Sequence, residues 1–138
     1  MGTRRFDSGL LLLRYMANKV ILNHDGIIEI LTTGPQTVAS IETMGREADM
    51  MITQQKAAGK PALILDNLLE LGPVEADGRK MVVELAKRLD YDRAAMLGKG
   101  GMMRLGTNLM LRAVGQSFRV RYFDDRTKAV AWLKEKAK

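Results

Sequence analysis

Apolar positions change their spacing repeatedly along the chain, and each change marks an element. Val20-Ile21-Leu22 and Ile27-Ile28-Glu29-Ile30-Leu31 are β-rich runs split by His24-Asp25-Gly26. An Asp-Gly pair between two such runs predicts a hairpin. Gly34-Pro35 ends the second run, and Pro35 suits the first turn of a helix. Val38, Ile41, Gly45, Ala48 and Ile52 then recur at helical spacing up to Gly59-Lys60-Pro61. Ala62 to Leu65 is short and wholly apolar, the pattern of a central strand covered on both faces. Pro73 opens a second helix whose buried stripe is Met81, Leu85 and Leu89. Arg93-Ala94-Ala95-Met96-Leu97 reads as another strand. Gly98-Lys99-Gly100-Gly101 turns from it into a helix reaching Val114, with Leu105, Leu109 and Ala113 or Val114 facing inward. Phe118 to Phe123 alternates like an edge strand. Asp124 or Asp125 caps a closing helix carrying Ala129, Val130 and Leu133.

The order is β-β-α-β-α-β-α-β-α. Alternating elements with short connections predict a single α/β domain over residues 17–138. Its sheet is mostly parallel and five-stranded, with an N-terminal antiparallel hairpin and helices packed on it. Residues 1–16 read as an N-terminal extension, with Met16 a candidate natural start. Leu10 to Leu13, interrupted by Arg14, fall short of the roughly 7–15 apolar residues of a signal sequence, and no small-residue cleavage site follows.

Composition narrows the class without naming a chemistry. Hydrophobic residues at 46% and charged residues at 28% of 138 belong to a globular protein, not a disordered one. No apolar run approaches the roughly 20 residues that cross a bilayer. The absence of cysteine removes disulfides and thiolate metal sites, so a cytoplasmic location is the expectation. The net charge of +6 lies wholly in residues 70–138, which carry fifteen Lys/Arg against nine Asp/Glu. An anionic partner is one reading and a solvated face the other. The three Phe, three Tyr and one Trp do not interleave with a basic cluster as a stacking platform would, which argues against nucleic acid.

Ligands of such sheets gather beyond the carboxyl ends of the strands. Two of those ends are candidate sites. The first is Asp66, Asn67, Leu68, Leu69, Glu70, Leu71 and Gly72. Asp66 could hold magnesium with Asp124 or Asp125, could meet a partner, or could with Asn67 hydrogen-bond the loop backbone. The second is the turn with Lys99, Gly100, Gly101, Met102 and Arg104, whose backbone N–H groups could face an anion. It has neither the spacing nor the Ser/Thr of a Walker motif. Between Thr53 and Thr107 there is no serine, threonine, cysteine or histidine. The one histidine, His24, sits by a predicted turn, so no nucleophile–base pair can be assembled and no catalytic residue or cofactor is expected. Met96, Met102, Met103 and Met110 crowd the second region, either as core filling or as the wall of an adaptable apolar pocket.

The element order, together with Ile27-Ile28-Glu29-Ile30, Leu63-Ile64-Leu65-Asp66 and Ala129-Val130-Ala131-Trp132-Leu133, resembles the SpoIIAA-like branch of the STAS superfamily over residues 17–136. Such domains are similar to anti-sigma factor antagonists and to small lipid-binding CRAL-TRIO folds. The resemblance implies a non-enzymatic domain that binds a protein partner, or an apolar ligand between helix and sheet. In the antagonists, the loop after the central strand carries a phosphorylatable serine. The matching stretch here, Asp66 to Pro73, has Leu68, Leu69 and Leu71, which cannot accept phosphate.

The leading expectation is therefore a regulatory or protein-interaction domain using Asp66–Gly72 and Gly98–Arg104, with at least one of the three leucines open to a partner. A carrier of an apolar or lipid-like molecule, covered by the Met102–Met110 helix, is the alternative. A phosphate-binding enzyme using Asp66 and Lys99 comes third, and a homodimer stays open.

Overall fold

A computed structural model describes residues 18–135. The extension expected at residues 1–16 lies outside the described residues. Among the described residues, seven strands and four helices follow one another: β1 Lys19–Leu22, β2 Ile28–Leu31, β3 Gly34–Gln36, α1 Val38–Ala57, β4 Leu63–Asn67, β5 Leu71–Val74, α2 Ala76–Arg88, β6 Arg93–Leu97, α3 Gly101–Ala113, β7 Val120–Phe123 and α4 Arg126–Lys134. The main sheet has the order β1-β2-β4-β6-β7, antiparallel between β1 and β2 and parallel elsewhere. The expected five-stranded sheet, its hairpin and the edge position of β7 are all present.

The hairpin forms because Asn23 closes it locally. Its Oδ1 accepts from the N–H groups of Asp25 at 2.9 Å and Ile27 at 3.1 Å. Strand pleating then sorts the sheet residues onto two faces. Ile28, Ile64, Ala94 and Val120 meet Ala48, Ile52 and Leu111 of α1 and α3 on one side. Leu65, Ala95 and Leu97 meet Ala129 and Leu133 of α4 on the other. Each fully buried Ile or Leu contributes about 1.5–3 kcal/mol. Two separate apolar cores thus fix where the sheet's two faces look.

Three features depart from the sequence reading. Pro35 and Pro73 do not open helices; both lie in a second, two-stranded parallel sheet of β3 and β5. Helix α1 starts instead at a capping box, in which Thr37 Oγ1 accepts from Ser40 N–H at 3.2 Å and Ser40 Oγ accepts from Thr37 N–H at 3.0 Å. A Pro can sit in so short a strand because each edge there has spare backbone positions. The third departure is α3, where Leu105 is 58% exposed and Ala113 is exposed, while Leu111 faces the core. The side chain of Leu109 lies outside the described residues. The inward side of the helix carries instead Met103, which abuts Gly98, together with Met110 and Leu111.

The basic residues of the last third are largely occupied by structure. Arg119 donates to the carbonyls of Ala86, Lys87, Leu89 and Tyr91, and its guanidinium lies 3.9 Å from the Tyr91 ring centroid. It satisfies carbonyls at the C-terminal end of α2 that the helix itself leaves open. Arg93 and Arg121 lie 5.0 Å and 5.2 Å from the Trp132 ring centroid, and Arg93 Nη1 donates to the Trp132 carbonyl. The excess charge therefore does not form a free basic stripe.

Candidate functional site

The pleat gives successive residues of β4 opposite directions, and this separates Asp66 from Asn67. Asn67 shares the α4 face with Leu65. Its Oδ1 accepts from Leu69 N–H at 3.1 Å, and its Nδ2 donates to Glu29 Oε2 at 3.4 Å. Glu29 is buried on that face and receives a bidentate pair from Arg126, at 2.6 Å and 2.9 Å, with Asn23 at 3.2 Å. The Arg126 hydrogen bonds outweigh burial and hold the Glu29 carboxyl below the usual glutamate range. Every strong acceptor of this carboxylate has a donor.

Asp66 faces the other way, into a cavity of about 110 Å³ between the sheet and α1, α2 and α3. Ile30, Ile64, Ala94 and Val120 form its floor; Met44, Leu85, Leu111 and the methionines Met96 and Met110 are among its walls. Among the described residues of this lining, Asp66 is the one with a formal charge at neutral pH. Tyr91 also lines the cavity, and its hydroxyl donates to the Ala86 carbonyl at 2.6 Å. Among the described residues, the hydrogen bond to Asp66 comes from Thr32 Oγ1 at a long 3.4 Å. Burial without a cation pushes the Asp66 carboxyl up to about 7. Near neutral pH it is poised between a hydrogen-bond donor and an anion.

Register extends this face along the sheet. Asp66 is paired with Ile30 on β2 and Met96 on β6, and Met96 with Tyr122 on β7. The Tyr122 hydroxyl is buried, and among the described residues it is the buried side-chain polar atom without a hydrogen-bond partner. A Cβ on Gly98 would clash with the Met103 sulfur and sit 2.7 Å from that hydroxyl. The chain is pressed against the Tyr122 ring at this point.

The other expected site residues divide into buried and exposed groups. Leu68 is buried, Leu69 is half-buried against the α4-side core, and Leu71 is half-buried in β5. None of the three is fully exposed, though Leu69 and Leu71 keep part of their surface open. A Cβ on Gly72 would lie 2.7 Å from the Gly34 carbonyl carbon and 2.8 Å from Pro35 N, so glycine lets β5 approach β3. Glu70, Lys99, Gly100, Gly101 and Arg104 are exposed. Met102 lies in the first turn of α3, and its side chain is outside the described set. Arg104 pairs with Asp124 at 2.8 Å, while Asp125 accepts from Lys128 N–H at 2.9 Å as the cap of α4.

Asp66 therefore joins neither aspartate, and among the described residues no group of three His, Asp or Glu side chains could hold a metal ion. No ion pair or hydrogen bond joins Asp66 to Lys99 among the described residues either. A shallower cleft of about 750 Å³ at the amino ends of the strands is lined by Lys56, Asp92, Arg93 and Lys134. Its charges are engaged locally: Lys56 with Asp90, Asp92 with Ala62 N–H, and Lys134 with Asp25.

The SpoIIAA-like family profile matches residues 27–134. The chain belongs to the SpoIIAA-like family. Two solved structures share the fold. One is an uncharacterized protein from Shewanella loihica PV-4 with a SpoIIAA-like fold, at 18% identity and a TM-score of 0.63, covering 85% of this chain and 92% of that one. The other is the anti-sigma factor antagonist SpoIIAA in its unphosphorylated form, at 16% identity and a TM-score of 0.57, covering 81% and 92%. No curated protein matches the chain.

The direction of Asp66 was readable from alternation, since Ile64 and Asp66 share a side of β4. The walls were not, because Met44, Leu85 and Met110 come from three separate helices.

Proposed function

We propose that this SpoIIAA-like chain is a non-catalytic, cytoplasmic regulatory domain that works by binding a small, mainly apolar molecule in the cavity beneath α1, α2 and α3. The cavity carries the reading. It is lined almost wholly by apolar side chains, three of them the adaptable methionines Met44, Met96 and Met110, and it holds one poorly satisfied carboxyl. This reverses the order of the two expectations drawn from the sequence, because Leu68 is buried, Leu69 packs against the core and the methionines line a space. Native mass spectrometry of the full chain purified without detergent tests the reading. A retained small molecule, or one taken up from an apolar ligand set, is expected. A clean mass with no uptake would overturn it.

Docking of a protein partner at the carboxyl edge is the second reading. It is favoured by the exposed Glu70, Lys99, Gly100 and Gly101, with Arg104 and the exposed Leu105 beside them. The stretch from Gln54 to Gly106 contains no hydroxyl-bearing Ser or Thr, so the reading includes no phosphate switch there. Lys99→Glu with Leu105→Asp should leave melting unchanged and weaken capture of a partner; undiminished capture would remove this face. Leu69→Asp is the wrong probe, since Leu69 packs against the core.

A further inference from the structure

An ionised carboxylate accepts up to about four hydrogen bonds, and from the described residues Asp66 receives one long one, from Thr32 at 3.4 Å. The groups that face it with the cavity are Ile30 and Thr32 on the β2 side, Met96 on β6, Met44 on α1, Val82 on α2 and Met110 on α3. None is charged, and the nearby Tyr91 hydroxyl is engaged with Ala86. Burying a carboxylate in such a wall is costly unless a cation compensates it. The same sheet shows what compensation looks like: Glu29, one step along the neighbouring strand, holds the Arg126 guanidinium at 2.6 Å.

The geometry points to a small primary amine as the molecule this cavity takes, its alkyl part against Met44, Met96 and Met110 and its ammonium on the Asp66 carboxylate. The inference rests on reading the cavity as a ligand site. A carboxylate ligand would set two acids together with no Lys or Arg in the lining. A neutral ligand would leave Asp66 without its missing donors. An ammonium offers three donors and the opposite charge. Size limits the alkyl part. The space of about 110 Å³ is smaller than the roughly 150 Å³ of an apolar cavity known to admit benzene, which suits a chain of about four carbons.

The test compares butylamine, 1-butanol and butyrate on the full chain at pH 8. Chemical-shift changes of the Met44, Met96 and Met110 methyl groups are the readout. Butylamine should bind at least about tenfold more tightly than butanol, the difference a charge-assisted pair supplies, and butyrate should not bind. In Asp66→Asn the advantage of the amine should vanish while butanol binding stays. Butanol equal to or tighter than butylamine would overturn the amine and leave the cavity as an apolar site. An Asn variant that keeps the amine's advantage would do the same. If none of the three moves the methionine methyls, the ligand-site reading itself fails. The wild-type comparison of three ligands decides the matter even if the Asn variant folds poorly.

Discussion

Glu29 and Asp66 are carboxyls on neighbouring strands, one register step apart, and the pleat sends them to opposite faces of one sheet. Under α4, Glu29 meets Arg126, Asn23 and Asn67, and its proton affinity falls. Under α1, α2 and α3, Asp66 meets methionine, isoleucine and one distant threonine hydroxyl, and its proton affinity rises. The two are equally placed by the backbone and differ only in what packs over them. The first ties β2, β4 and α4 together. Among the described residues the second has only the long Thr32 contact to stabilise it, which is why the cavity and not the ion pair is read as the site.

The largest effect should come from breaking the compensated side. Arg126→Ala leaves a buried carboxylate with only amide donors and should cost about 2–3 kcal/mol. This is somewhat below the usual range for a broken buried pair, because Arg126 is itself 47% exposed. Urea unfolding at pH 7 measures it, and a loss near zero would mean that Glu29 is held by its asparagines alone.

Asp66→Asn probes the uncompensated side and should act in the opposite sense. The folded carboxyl titrates at about 7 against 3.8 for an ordinary aspartate, so the folded state holds this proton more tightly than the unfolded one. Its contribution to stability is full below about pH 4, falls as pH rises, and is gone above about pH 7. Wild type should therefore lose stability across that window, by roughly 4 kcal/mol at most from linkage. The Asn variant should be flatter there and more stable at pH 8 by about 2 kcal/mol. A variant less stable than wild type at pH 8 would contradict an Asp66 carboxyl held in the cavity wall without a cation.

Smaller shifts sharpen the contrast. Thr32→Val removes the hydroxyl that faces Asp66 at 3.4 Å and should cost about 0.5–1 kcal/mol at pH 8, where the carboxylate is ionised. It should also raise the Asp66 titration midpoint as followed by NMR; an unmoved midpoint would show that the long contact has no electrostatic weight. Leu105→Ser, on the exposed side of α3, should change stability by less than about 0.5 kcal/mol. A large loss there would mean that α3 packs over the cavity by its other side.

Much of this was legible in the chain. The hairpin at Asp25-Gly26, the apolar β4, the alternation of β7 and the cap at Asp125 are local patterns, and each forms where its residues predict. The helix starts at Pro35 and Pro73 were misread because proline fixes one backbone angle without saying which element uses it. The two prolines instead lie in paired short strands, β3 and β5, separated by some thirty-five residues. Leu105 was misread because helical period alone does not fix the phase of a helix, and here Met103, Met110 and Leu111 take the inward side.

The sequence by itself determined the order of the main-sheet strands and the four helices, and the absence of Ser, Thr, Cys and His between Thr53 and Thr107, since these depend on neighbours a few residues apart. It also placed Asp66 at the end of a buried strand. Only the tertiary structure decided what Asp66 sees. Helices from residues 38–57, 76–88 and 101–113 converge over it, and among the described residues none brings it a cation, whereas α4 brings Arg126 to Glu29. A carboxyl's charge state is set by its surroundings, and here those surroundings come from chain segments far apart in sequence.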